Sequence, residues 1–182
     1  MVNSYSNILK AYCKALLSHQ VWNESNNRRR EDENMDVIET PEFLEEVHAK
    51  REAGFNCAEG VFWGVTQSVD MDLPVSCVTG FGGGIGGTGS VCGALTGAIA
   101  AVGAYFGRIE PGENEKKREC NSICATIVDG FQQEMGTELC REILGHLPGE
   151  RPATGKVGIN PKCKQAVTVA FRLALEQIEQ RN

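Results

Sequence analysis

The chain has 182 residues, 41% of them hydrophobic and 23% charged, with a formal net charge of -6 at pH 7. That length suits one domain plus an extension, with a core that needs no covalent staples, and the acidic balance argues against nucleic acid or an anionic membrane as partner. No stretch has the apolar length to span a bilayer, so no membrane insertion is expected, and the N-terminus lacks the charged start, apolar run and cleavage site of a signal peptide, which together predict a cytoplasmic protein.

Residues 4 to 20 place Ile8, Leu9, Tyr12, Cys13, Leu16 and Leu17 at helical spacing, which predicts an N-terminal accessory helix. The polar, charge-dense "NESNNRRREDEN" follows as a linker, so we divide the chain into an accessory segment, 1–34, and a main domain, 35–182. From Thr40 the signals become orderly. Thr40-Pro41-Glu42 reads as a capped helix start with Phe43, Leu44 and Val47 inward, ending at Gly54. Asn56 caps a second helix to about Val69, with Val61, Phe62 and Val65 inward. Pro74 opens a short helix or turn that leads into a glycine loop over 80–89.

Ser90 is the expected cap of a helix from Val91 to Tyr105, stopped by Gly107. Residues 113 to 136 read as a long amphipathic helix with Ile123, Ile127, Val128 and Phe131 inward. Thr137 then caps a short helix holding Cys140, Ile143 and Leu144, closed by Gly145, and a loop rich in Pro and Gly follows. Asn160 caps the last helix, with Pro161 in its first position and Val167, Ala170, Phe171, Ala174 and Leu175 inward. With only "LPVSCVTGF" resembling a strand, the fold class is all-α, a compact bundle of about five to six helices with a glycine-rich loop.

Eight cysteines, at 13, 57, 77, 92, 120, 124, 140 and 163, are the compositional anomaly. Without an export signal they point to metal binding or redox chemistry rather than a disulfide framework. Cys57, Cys92, Cys140 and Cys163 each fall in the first turn of an expected helix, where unpaired amides and the helix dipole stabilise a thiolate and lower its pKa. Converging helix starts of this kind form a pocket for negative sulfur, suited to an iron–sulfur cluster or to thiol–disulfide exchange. The glycine loop, with Gly83, Gly84, Gly86 and Gly89, and Gly93 beyond it, then brings bare backbone close to that cofactor or to the substrate of a reactive thiol. Gly93, Gly97 and Ala101 add a stripe that lets another helix pack closely.

The other motifs carry less. Cys120 and Cys124 lie one turn apart, enough for two ligands of a second metal or for a disulfide pair, and Cys13 and Cys77 read as packing residues. His19, His48 and His146 lack metal-ligand spacing. Gly82, Gly84 and Gly87 spell G-x-G-x-x-G without a strand before them, "GGIGGTGS" lacks a P-loop lysine, and no C-x-x-C occurs.

"NCAEGV" at 56–61, "GFGGGIGGTGSVCGALTGAIAAVG" at 80–103, "CREILG" at 140–145 and "CKQAV" at 163–167 resemble the bacterial and archaeal C_GCAxxG_C_C family of redox-active proteins. The family's Cys-Gly-Ala-x-x-Gly hallmark stands intact at 92–97, and the resemblance covers about residues 40 to 178. It implies that the family's four invariant cysteines are Cys57, Cys92, Cys140 and Cys163. The domain is similar to one in split-Soret cytochromes c, which favours an iron–sulfur site, although the haem-binding motifs of those cytochromes are absent here. Three functions stay open: an iron–sulfur electron-transfer protein or oxidoreductase, a metal-free thiol–disulfide protein with Cys92 as its nucleophile, and a structural zinc module. The partner expected of the first two is a redox donor or acceptor protein, and the small-residue helix faces suggest a homodimer.

Overall fold

The computed structural model describes residues 40–149 and 159–181. The accessory helix and linker expected in 1–34, with Cys13, lie outside them, as does most of the loop that precedes the last helix. Six α-helices form the described part: α1 (Thr40–Glu52), α2 (Cys57–Ser68), α3 (Gly93–Phe106), α4 (Asn114–Met135), α5 (Cys140–Leu144) and α6 (Pro161–Glu179). Two single 3-10 turns, Val75–Cys77 and Thr79–Phe81, lie between α2 and α3, and no strand occurs among the described residues. The all-α reading therefore holds.

The boundaries follow from local chemistry. Asn56 and Glu59 make a reciprocal capping box at α2: the Asn56 carboxamide oxygen accepts from the amides of Ala58 (2.9 Å) and Glu59 (3.1 Å), while the Glu59 carboxylate accepts from the Asn56 amide (2.8 Å). Asn160 caps α6 by accepting from the Lys162 amide at 2.9 Å, with Pro161 in the first position. Gly136 and Gly145 end α4 and α5 in the left-handed region, at φ 76° and 77°.

One expected start is displaced. Val91 forms an isolated antiparallel bridge with Leu139 instead of entering α3, and Cys92 rather than Ser90 is the N-cap residue. Pairing with the segment before α5 removes residues 90 and 91 from the helix, a non-local contact that capping patterns do not encode. Thr137 still serves α5, its hydroxyl accepting from the Leu139 amide at 3.1 Å, although the N-cap position itself is Leu139.

Helix α3 lies at the centre, packed on α2, α4 and α6. Phe62, Leu95, Val102, Ile123, Ile127, Phe131, Phe171 and Leu175 are buried between these helices, and each contributes about 1.5–3 kcal/mol of transfer free energy. The crossing is close where α2 is bare: a Cβ on Gly64 would stand 2.3 Å from a Val47 methyl and 2.9 Å from the Phe171 ring. On the outer edge Arg172 of α6 pairs with Glu176 on the same helix and with Glu134 of α4.

Candidate functional site: four cysteines at four helix starts

Cys57 is the first residue of α2, Cys92 the N-cap of α3, Cys140 the first residue of α5 and Cys163 the third of α6. Cys92 and Cys140 are joined by the short pairing around Val91 and Leu139. The Cys92 amide donates to the Glu138 carbonyl (2.8 Å) and the Cys140 amide to the Ser90 carbonyl (2.7 Å). Cys57 is brought in by the capping box and by the Asn56 carboxamide, whose nitrogen donates to the Thr79 carbonyl at 3.0 Å. The start of α2 is thereby tied to the turn that opens the glycine loop.

The glycines answer to the cysteines. A Cβ built on Gly93 would stand 2.5 Å from the Cys57 sulfur and 2.9 Å from the Phe81 carbonyl oxygen. Only a bare residue after Cys92 leaves room for the Cys57 thiol. Gly97, one turn on, would place a Cβ 2.5 Å from the Ala58 carbonyl oxygen, so the spacing of the Cys-Gly-Ala-x-x-Gly motif lets the start of α2 lie directly on α3. In the loop, Gly84 sits at φ 71°, and a Cβ there would come within 2.6 Å of the Cys140 Cβ.

The glycine loop differs from the expected amide cradle. Residues 83 to 87 all have positive φ, including Ile85 at 58°, which makes a left-handed turn. Its amides from Ile85 to Ser90 all donate to carbonyls within residues 80–85, as in Gly86 to Gly80 (2.8 Å), Gly89 to Gly83 (3.0 Å) and Ser90 to Gly84 (3.0 Å). Close approach is therefore what Gly84 and Gly93 supply to the cysteines. A Cβ on Gly83 would stand 3.0 Å from the Gly87 Cα and one on Gly89 3.0 Å from the Arg141 Cβ, while one on Gly86 would meet nothing within 4 Å.

Electrostatics tie the four thiols into one group. Burial, and then the charge of Cys57, push Cys92 up to about 12, against the amides of Ala94 and Leu95, which pull it down. Cys140 is pushed up to about 11 by burial, by Cys57 and by Cys163. Burial and Cys57 also raise Cys163, while the Arg51 guanidinium lowers it. The expectation that helix starts lower these thiols thus fails at Cys92, Cys140 and Cys163. The dipole and amide contributions act only over the first turn, and desolvation by the packed core outweighs them.

Two residues without a cysteine motif belong to this neighbourhood. Arg51 of α1 has buried Nε and Nη1 atoms without a hydrogen-bond partner among the described residues, and so has His48 at Nδ1, one turn earlier. The other His48 nitrogen, Nε2, meets the Thr168 hydroxyl of α6 at 3.2 Å, and burial, Lys164 and Arg51 lower its pKa. A single arginine in the last turn of an ordinary helix gives no sequence signal. The signal was indirect, in Gly60, whose Cβ would stand 2.8 Å from the Arg51 Cγ.

The remaining described cysteines stand apart. Cys120 and Cys124 interact with each other on α4, and burial and Cys120 raise Cys124 to about 11. Cys77 is exposed rather than packed, its thiol donating to the Pro74 carbonyl at 2.7 Å.

In number and chemistry the donor set fits an iron–sulfur cluster: four thiols, two of them buried, with buried guanidinium nitrogens nearby that lack an anion. Among the described residues no group of three Cys, His, Asp or Glu side chains could hold a single metal ion as they stand.

The family profile described as "Putative redox-active protein (C_GCAxxG_C_C)" matches residues 55–177. An uncharacterized protein of Archaeoglobus fulgidus is 28% identical over 133 residues, covering 68% of this chain and 85% of the relative. No solved structure matches. The match spans well over half of the chain, and the chain belongs to the C_GCAxxG_C_C redox-active family.

Proposed function

We propose that this family member is an electron-transfer protein in which Cys57, Cys92, Cys140 and Cys163 hold an iron–sulfur cluster and exchange electrons with a partner protein. The observation that carries the reading is the position of Cys57, whose charge bears on each of the other three thiols. Three helix starts distant in sequence thus feel the charge of one sulfur at the start of a fourth. Burial works against free thiolates at Cys92 and Cys140, so at neutral pH their protons leave when a cation replaces them. A cluster held there would supply one-electron chemistry.

The chain's own residues prepare the place. Gly93 clears the Cys57 sulfur, Gly84 clears Cys140, and the capping box fixes the first turn of α2. The deciding experiment is the visible spectrum, with iron and sulfide analysis, of protein purified without oxygen. Absorption that bleaches with dithionite and matching iron and sulfide are expected. Loss of that absorption is expected on changing any one of the four cysteines to Ser, but not on changing Cys77. Colourless, iron-free protein overturns the reading.

A second reading, a metal-free dithiol using Cys57 and Cys92, has its own support: the Cys57 sulfur fills the space beside Gly93, the residue that follows Cys92. It predicts colourless protein that loses two free thiols on mild oxidation. Against it stands the high pKa of Cys92, which leaves little thiolate at neutral pH to act as a nucleophile.

A further inference from the structure

Arg51 is the one described arginine with buried, unpartnered nitrogens, Nε and Nη1, and a buried N–H without an acceptor is destabilising. Its position is nonetheless built into the fold. The aliphatic stem crosses α2 at Gly60, where a Cβ would stand 2.8 Å from Cγ and 3.3 Å from Cδ. That crossing lies one turn on from Cys57, the first residue of α2, and the guanidinium charge bears on Cys163, in the first turn of α6, and on His48, one turn back on α1. His48 does not neutralise it, because it is held by Thr168 and presents a second unpartnered nitrogen. Glu52, next in the chain, is exposed, and no ion pair to Arg51 occurs among the described residues. Among the described residues, Nε and Nη1 of this cation therefore have no acceptor while the thiols are protonated.

We propose that Arg51 is the counter-charge of the four-cysteine site and raises its reduction potential. The inference rests on the cluster reading for its redox readout. One electron from dithionite, or from a one-electron donor protein in the cell, adds one negative charge to the site, and no bond forms or breaks. A fixed positive charge about 12 Å away makes that uptake more favourable by about tenfold at an effective dielectric of about 20.

The test uses the full chain, purified without oxygen, as Arg51→Met and Arg51→Lys. Both keep an aliphatic stem in the Gly60 notch, and only Lys keeps the charge. Arg51→Met is expected to keep its visible absorption but to shift the one-electron equilibrium about tenfold against reduction, which is about 59 mV. Arg51→Lys should stay within about threefold of the unaltered protein. With the site empty and the thiols reduced, Arg51→Met should be at least as stable in urea, because the orphaned nitrogens are gone.

An unchanged midpoint in Arg51→Met, or an equal shift in Arg51→Lys, overturns the assignment. If the unaltered protein is colourless and iron-free, the cluster reading fails, and Arg51 is judged on the urea midpoints of the reduced protein: a midpoint clearly lower in Arg51→Met than in the unaltered protein overturns its standing as an unpaired charge, independently of any cluster.

Discussion

Replacing Gly93 by Ala tests the geometry at the centre of the site. The added methyl would stand 2.5 Å from the Cys57 sulfur and 2.9 Å from the Phe81 carbonyl oxygen, against an optimum near ~3.5–4.0 Å for unbonded heavy atoms. Relief requires moving the first turn of α2 or of α3 by about 1 Å, and overpacking of this kind costs about 1–3 kcal/mol. Alanine regains at most about 1 kcal/mol in helix propensity, and less at the first helical residue. A net loss of about 1–2 kcal/mol is expected in urea unfolding of the reduced, metal-free protein. Gly103→Ala is the control in the same helix: nothing lies within 4 Å of its Cβ position, so it should be neutral or gain up to about 1 kcal/mol. Repeating Gly93→Ala in a Cys57→Ala background removes the sulfur and should recover at least about 0.5 kcal/mol as a coupling energy. Equal tolerance of Gly93→Ala and Gly103→Ala, or no coupling to Cys57, would refute the reasoning.

Three further outcomes follow from the same contacts. The folded-state pKa of Cys92 is raised from 9.0 to about 12, so the unfolded chain loses this proton first as pH rises. Stability is whole below about pH 9 and falls between 9 and 12, by about 2 kcal/mol at pH 10.5. Urea midpoints of the reduced protein at pH 8 and 10.5 check this, and Cys92→Ala should show a profile flatter by that amount. Asn56→Ala leaves the Ala58 and Glu59 amides without their acceptor and should cost about 1–2 kcal/mol by thermal melting, whereas Asn56→Asp should cost less. Arg172→Ala breaks the pairs with Glu134 and Glu176, all three side chains well exposed, and should cost under about 1 kcal/mol at low salt and less at high salt.

What the sequence by itself determined is local. "NCAE", "NPKC", Gly136 and Gly145 specify helix ends because a cap satisfies amides or carbonyls within a few residues, and those boundaries are found where the pattern puts them. The four first-turn cysteines could be read for the same reason. Only the tertiary structure decided what these cysteines meet. Val91 pairs with Leu139 across a long sequence separation, and this moves the start of α3 to Cys92. The Cys57 sulfur occupies the space that Gly93 leaves, and the loop amides are used within the loop itself. The thiol pKa values rise because desolvation depends on the whole packed surround, not on position in a helix. Arg51 belongs with these: an ordinary residue in sequence, it gains significance only where Gly60 lets its stem cross α2 and burial leaves its nitrogens without an anion.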